Sequence, residues 1–119
     1  MPESLETLQE RYASFVDKRG WDQYHTPQNL AMAISVEASE FMENFLWFNN
    51  PPSEDVANDP QLMGEIEDEL ADILIYSIAL ANQLDIDLLE AVERKMEANE
   101  ERFDEERVTE LACELEQWQ

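Results

Sequence analysis

The chain has 119 residues, 44% hydrophobic and 30% charged, with only two glycines and five prolines. That is long enough for one domain with a real core, too apolar for a disordered chain, and too poor in turn residues for a β fold, so long helices are expected. Seven basic residues against 29 acidic ones give a net charge of −22, which argues against nucleic acid or anionic membranes as partners and means that chemistry on phosphate would need a bridging cation.

Residues 3–18 place Leu5, Leu8, Tyr12, Phe15 and Val16 at helical spacing, with a polar start at Ser4, Glu6 and Thr7. Lys18 and Arg19 put positive charge at the negative end of that helix, and Gly20 ends it. A connector over 21–27 carries Trp21, Tyr24 and the only histidine, His25. Thr26 as N-cap and Pro27 at the first helical position start a second helix, expected to run to Trp47 or Phe48. Its inward stripe reads Leu30, Ile34, Glu37, Phe41, Phe45 and Phe48, so Glu37 occupies a slot where the pattern expects an apolar side chain.

Asn49-Asn50-Pro51-Pro52 opens the main loop, expected over 49–60. Asp59-Pro60 then caps a third helix running to Leu84. Its core stripe is Leu62, Ile66, Leu70, Ile73, Ser77, Leu80 and Leu84, and beside it lies a second stripe of Glu65, Glu69, Asp72, Tyr76 and Ala79. Asp87 with Glu90 three residues on makes a capping-box-like start for a fourth helix over 88–103. That helix turns Leu88, Val92, Lys95, Met96, Asn99 and Phe103 inward. The tail repeats Val108, Leu111, Ala112, Leu115 and Trp118 at helical spacing and is expected as a fifth helix. The expected organisation is therefore all-α, with one helical domain over 1–103 and an amphipathic tail over 104–119. The lone Cys113 leaves no internal disulfide, no apolar run reaches membrane length, and no signal peptide is visible, which together fit a cytoplasmic protein.

The chemistry concentrates in two carboxylate pairs. Residues three apart on a helix point the same way, so Glu37 projects with Glu40 and Glu69 with Asp72. Packed antiparallel, the two helices would face four carboxylates toward one another. Such a cluster is repulsive unless neutralised, and an all-oxygen donor set selects Mg²⁺ or Mn²⁺. Glu-x-x-Glu recurs by chance in so acidic a chain, and solvated acids are the ordinary reading of Glu43, Glu54, Glu65, Glu67 and Asp68. Glu37 and Asp72 differ because their neighbours are apolar, and Asp72 is enclosed by Leu70, Ala71, Ile73 and Leu74.

Lys95 has Ala91, Val92, Ala98 and Asn99 as helical neighbours and no acid among them, so an inward Lys95 needs an anion. That anion is either a core carboxylate or a phosphate, with Asn99 as a neutral donor beside it. Arg94 has Glu90 and Glu97 to pair with, and Arg102 has Glu105 and Glu106. Trp47, Trp21, Tyr24, His25 and Tyr76 are either core aromatics or a platform on which a base stacks. Glu-x-x-His, a Gly-rich phosphate loop and a Ser or Cys nucleophile with a basic partner are all missing.

These residues resemble the MazG-like, all-α nucleoside triphosphate pyrophosphohydrolases, and within them the short dCTP pyrophosphatase type. The resemblance spans about 5–103 and rests on Trp21, His25-Thr26-Pro27-Gln28-Asn29-Leu30, Glu37-Ala38-Ser39-Glu40, Phe45-Leu46-Trp47 and Glu69-Leu70-Ala71-Asp72 through Tyr76. Lys95-Met96-Glu97-Ala98-Asn99 and Arg102-Phe103 complete it. It implies a four-helix MazG-like bundle assembled as a homo-oligomer, a dimer or dimer of dimers. It also implies cleavage of a (deoxy)nucleoside triphosphate between the α and β phosphates to give monophosphate and pyrophosphate, a house-cleaning role. Glu37, Glu40, Glu69 and Asp72 would be Mg²⁺ ligands, with Glu40 or Glu37 acting on the attacking water. Lys95 and Asn99 would hold phosphate, with Arg102 a further candidate, and His25, Trp47, Tyr76 and Trp21 would line the nucleotide pocket. The competing readings are a related MazG-fold dUTPase or phosphoribosyl-ATP pyrophosphohydrolase, and a non-catalytic acidic helical interaction protein.

Overall fold

A computed structural model describes residues 4–104, 110 and 112–116. The chain forms two compact units, Met1–Ile86 and Asp87–Gln119. The first holds α1 (Leu5–Lys18), a 3₁₀ turn (Asp22–Tyr24), α2 (Pro27–Glu43), α3 (Ser53–Ala57) and α4 (Pro60–Gln83); the second holds α5 (Leu88–Arg102). Among the described residues every regular element is helical, as the composition requires, and none of these helices is long and apolar enough to cross a membrane.

Local chemistry sets where the helices begin. At each long helix a side-chain oxygen takes a backbone N–H that the first turn cannot satisfy internally. Ser4 accepts from Thr7, Thr26 from Asn29, Asp59 from Leu62 and Asp87 from Glu90. Proline occupies the first turn of α2 and of α4, where its missing N–H costs nothing.

In the first unit α4 is the central element, and α1, α2 and α3 all pack on it. Val16 of α1, Leu30 of α2 and Leu62, Ile78, Ala79 and Ala81 of α4 form the buried core. Side-chain amides lock the far end of α4. Asn82 Nδ2 donates to the Gln9 carbonyl at 3.1 Å, Gln9 Nε2 donates to Asn82 Oδ1 at 3.2 Å, and Gln83 Nε2 donates to Asp22 Oδ1 at 2.7 Å. The last bond ties the 3₁₀ turn that precedes α2 to α4.

Several features depart from the pattern read along the chain. α2 stops at Glu43 rather than Trp47, and its backbone tightens into i→i−3 bonds from Asn44 to Phe41, Phe45 to Met42 and Leu46 to Glu43. The loop over 49–60 contains the five-residue α3, too short to show a period. Of the expected α4 core stripe, Leu70 and Leu84 are exposed, while Ile78, Ala79 and Ala81 are buried instead. Residues 73–75 and 78–81 are apolar on most sides of the helix, and α4 packs against elements on more than one side, so period alone does not select its inner face. The periodicity of α5 predicts Lys95, Val92 and Met96 on its inward face, and all three are exposed. Of the tail, residues 110 and 112–116 are helical, whereas Val108, Leu111 and Trp118 lie outside the described residues.

Candidate metal centre and its surroundings

Glu37 and Glu40 sit one turn apart on α2, and Glu69 sits on the facing stretch of α4. One carboxylate oxygen from each of the three lies within 4.8 Å of the others. Glu37 and Glu69 are half-buried and Glu40 is exposed, so the cluster opens to solvent on the Glu40 side. Asp72 stands outside this closest group and is exposed, contrary to the enclosure its apolar neighbours suggest. Its flanking residues Leu70, Ala71 and Leu74 are themselves exposed, so no apolar wall closes over it. Its charge nevertheless acts on both Glu37 and Glu40.

The electrostatics follow from this crowding. Oε2 of Glu37 and Oε2 of Glu69 are both buried without a hydrogen-bond partner. Two ionised carboxylates offer only acceptors, so they cannot satisfy one another unless one holds a proton. Such a carboxyl–carboxyl hydrogen bond to Glu69 is the main reason that Glu37 is raised above the ordinary glutamate value. Desolvation and the charges of Asp72 and Glu69 add to it, and hydrogen bonding with Glu40 opposes it. Glu40 is raised chiefly by the charge of Glu37, with desolvation next, and Glu43 and Asp72 also contribute. Glu43 therefore acts on the site from the surface position assigned to it.

A hard cation fits this donor set. It would supply what both buried oxygens lack, and it would relieve the repulsion that raises Glu37 and Glu40. Glu37, Glu40 and Glu69 could hold such an ion.

The aromatic candidates divide in two. Tyr12 of α1 links two of them: its ring stacks on His25, with centroids 6.4 Å apart, and Tyr76 acts on its hydroxyl. Burial, with Tyr76 secondary, pushes the Tyr12 hydroxyl above the usual phenol value. Tyr76 is half-buried on α4, seven residues beyond Glu69 and hence on the same helix face. Trp21 packs edge-on against Phe15 at 5.5 Å. Trp47 is 91% exposed, beyond the end of α2. Tyr12 belongs with these groups but reads in the sequence as one more apolar position of α1; the only signal for it is a hydroxyl on an otherwise apolar stripe. On α5, Lys95 is exposed and Asn99 half-buried, and the Arg102 guanidinium lies over the Phe103 ring at 4.9 Å.

The MazG-like family model matches residues 32–116, which takes in all four carboxylates. The chain belongs to the MazG-like family. It is similar to dCTP pyrophosphatase 1 of Mus musculus, 36% identical over 100 residues that cover 84% of this chain and 59% of the mouse protein. The human protein of that name is 35% identical over the same shares, so the chain spans about 59% of the length of these curated relatives. Its fold is similar to the crystal structure of a pyrophosphatase from Archaeoglobus fulgidus, with a TM-score of 0.75 and 40% identity over 88% of this chain and 96% of that one. The MazG-like, all-α reading of the sequence is thereby borne out.

Proposed function

We propose that this chain hydrolyses (deoxy)nucleoside triphosphates to the monophosphate and pyrophosphate, with dCTP or a non-canonical deoxynucleotide as substrate. The observation that carries the reading is the pair of buried, unpartnered oxygens on Glu37 and Glu69 within a three-carboxylate cluster. Family membership and the similarity to dCTP pyrophosphatase 1 support it. Mg²⁺, or Mn²⁺ in its place, would be held by Glu37, Glu40 and Glu69, with Asp72 beside them. When bound it would neutralise triphosphate charge and make a water more acidic.

The chain's own groups supply the rest. Glu40 is the cluster member most open to solvent and has a raised affinity for a proton, so it orients the attacking water and accepts its proton. The water oxygen bonds to the α-phosphorus, the bond from that phosphorus to the bridging oxygen breaks, and pyrophosphate leaves with the electron pair. Tyr12, His25 and Tyr76 form one aromatic group that would pack against the nucleoside, with Trp47 and Trp21 as further contacts. Lys95, Asn99 and Arg102 are the proposed phosphate donors.

The test is product analysis over the canonical and several modified deoxynucleotides with Mg²⁺, run in ¹⁸O-labelled water. Monophosphate carrying the label, with unlabelled pyrophosphate, is expected. Label in the pyrophosphate, release of inorganic phosphate, or no turnover of any nucleotide would overturn the proposal.

A further inference from the structure

Tyr12 and His25 come from separate stretches of chain, so their stack exists only if both stretches are held in register. Tyr12 lies on α1 and His25 directly follows the 3₁₀ turn, and the two ring centroids are 6.4 Å apart. Both side chains border a cavity of about 160 Å³ whose other walls include Asp22, Ala79, Asn82 and Gln83. Asn82 and Gln83 are consecutive residues at the end of α4, and each holds a different one of the two ring-bearing stretches.

Asn82 holds the Tyr12 side. It exchanges a pair of hydrogen bonds with Gln9, donating to the Gln9 carbonyl at 3.1 Å and accepting from Gln9 Nε2 at 3.2 Å. Gln9 stands three residues before Tyr12 and so on the same face of α1. Gln83 holds the His25 side. Its Nε2 donates to Asp22 Oδ1 at 2.7 Å, and the Asp22 carbonyl accepts the His25 N–H at 3.1 Å. Asp22 is therefore gripped by α4 through its side chain and grips His25 through its backbone. Among the described residues, the other hydrogen bonds of 21–25 are local. Trp21 donates to the Val16 carbonyl, Tyr24 to that of Trp21, Gln23 to that of Gly20, and Asn29 donates to that of Tyr24. Hydrogen bonds in a 3₁₀ turn have poorer geometry than those of an α-helix, which makes the outside tie from Gln83 matter more. Because its acceptor is a carboxylate, that tie is charge-assisted.

We propose that Gln83 is a positioning residue for the nucleoside pocket: by holding Asp22 it sets the 3₁₀ turn so that the His25 ring stays on Tyr12. This rests on the assignment of Tyr12 and His25 to the nucleoside made above. Gln83 is fourteen residues beyond Glu69 on α4, about 21 Å along the helix axis, so its loss leaves the carboxylate cluster in place. The effect therefore falls on nucleotide affinity and not on the chemical step.

Three variants test the proposal, with circular dichroism confirming equal helix content. Gln83→Met removes the donor at unchanged charge and similar size. Gln83→Glu sets two carboxylates against each other. D22N/Q83E exchanges amide and carboxylate, which restores the bond in reverse at the original net charge. His25 is the only histidine, so its ring protons give a single set of ¹H NMR signals, displaced by the ring current of Tyr12. In Gln83→Met and Gln83→Glu those signals are expected to move toward the positions of free histidine. KM for dCTP is expected to rise about three- to tenfold while kcat holds within about twofold. D22N/Q83E is expected to restore both readouts. His25 signals that stay in place in Gln83→Met, signals that move while KM does not, a loss carried by kcat, or an exchange variant that fails to recover would each overturn the proposal. The NMR measurement needs no nucleotide. A chain that turns over no nucleotide thus removes the activity proposed above, while the His25 signals still decide whether Gln83 holds the turn.

Discussion

Replacing Glu69 by glutamine should move the stability of the metal-free and metal-bound protein in opposite directions. Without metal, Oε2 of Glu69 and Oε2 of Glu37 are buried acceptors with no donor between them. An amide at position 69 removes one negative charge and supplies an N–H, so the metal-free variant should melt higher than the unaltered protein. With metal the order reverses. A ligand at a hundredfold excess over its Kd stabilises by about 2.7 kcal/mol. With an unfolding entropy of about 2.1 cal/mol/K per residue over 119 residues, that gain is a Tm rise of about 11 °C. Loss of a charged ligand weakens the ion by at least the roughly tenfold seen for changes outside the coordinating shell, leaving about half of that rise or less. The assay is a thermal melt of both proteins in EDTA and in Mg²⁺. A variant that melts lower without metal, or that keeps the full Mg²⁺ response, would refute the reasoning.

Three other outcomes follow from the same structure. Glu37 and Glu40 bind protons more tightly in the folded state than in the unfolded state, so their ionisation opposes folding. That penalty is complete above their raised values and disappears as the pH falls to the ordinary carboxylate range. The urea midpoint of the metal-free protein should therefore rise from about pH 8 to about pH 5, and Mg²⁺ should flatten the slope. Ile78→Ala, at a core position 4% exposed, should cost about 2–5 kcal/mol in a denaturant titration with the m-value unchanged. Trp47→Ala should leave that titration unchanged, because the side chain is 91% exposed. If Trp47 stacks on the base, KM should rise about 5- to 150-fold while kcat holds.

Helix starts were legible in the sequence because they are local events. Thr26, Asp59 and Asp87 each cap the helix expected of them, and Ser4, read only as part of the polar start of a helix over 3–18, is the cap from which α1 begins at Leu5. The end of α2 was not, because Asn44 to Trp47 contains no glycine or proline and the chain tightens through i→i−3 bonds instead. Glu37 was legible as an acid on an apolar stripe, and the structure half-buries it beside Glu69. Asp72 misled because chain neighbours on a helix point in different directions: Ala71 and Ile73 do not enclose the side chain between them. Lys95 misled for a related reason. Periodicity shows that α5 has an apolar face but not what covers it, and in the single chain that face is exposed. Tyr12 passed as core because nothing in α1 reveals that His25 and Tyr76, from two other segments, converge on its ring and hydroxyl.

The most direct test of the carboxylate centre is the initial rate of pyrophosphate release from dCTP with Mg²⁺, measured for the unaltered chain, Glu40→Gln and Asp72→Asn at matched helix content. Removal of a group that handles the proton of the attacking water should lower kcat by about 10²–10⁴-fold in Glu40→Gln. Asp72→Asn, whose charge reaches both glutamates on α2, should also lose turnover. Full activity in both variants would contradict the assignment of this cluster as the reacting centre.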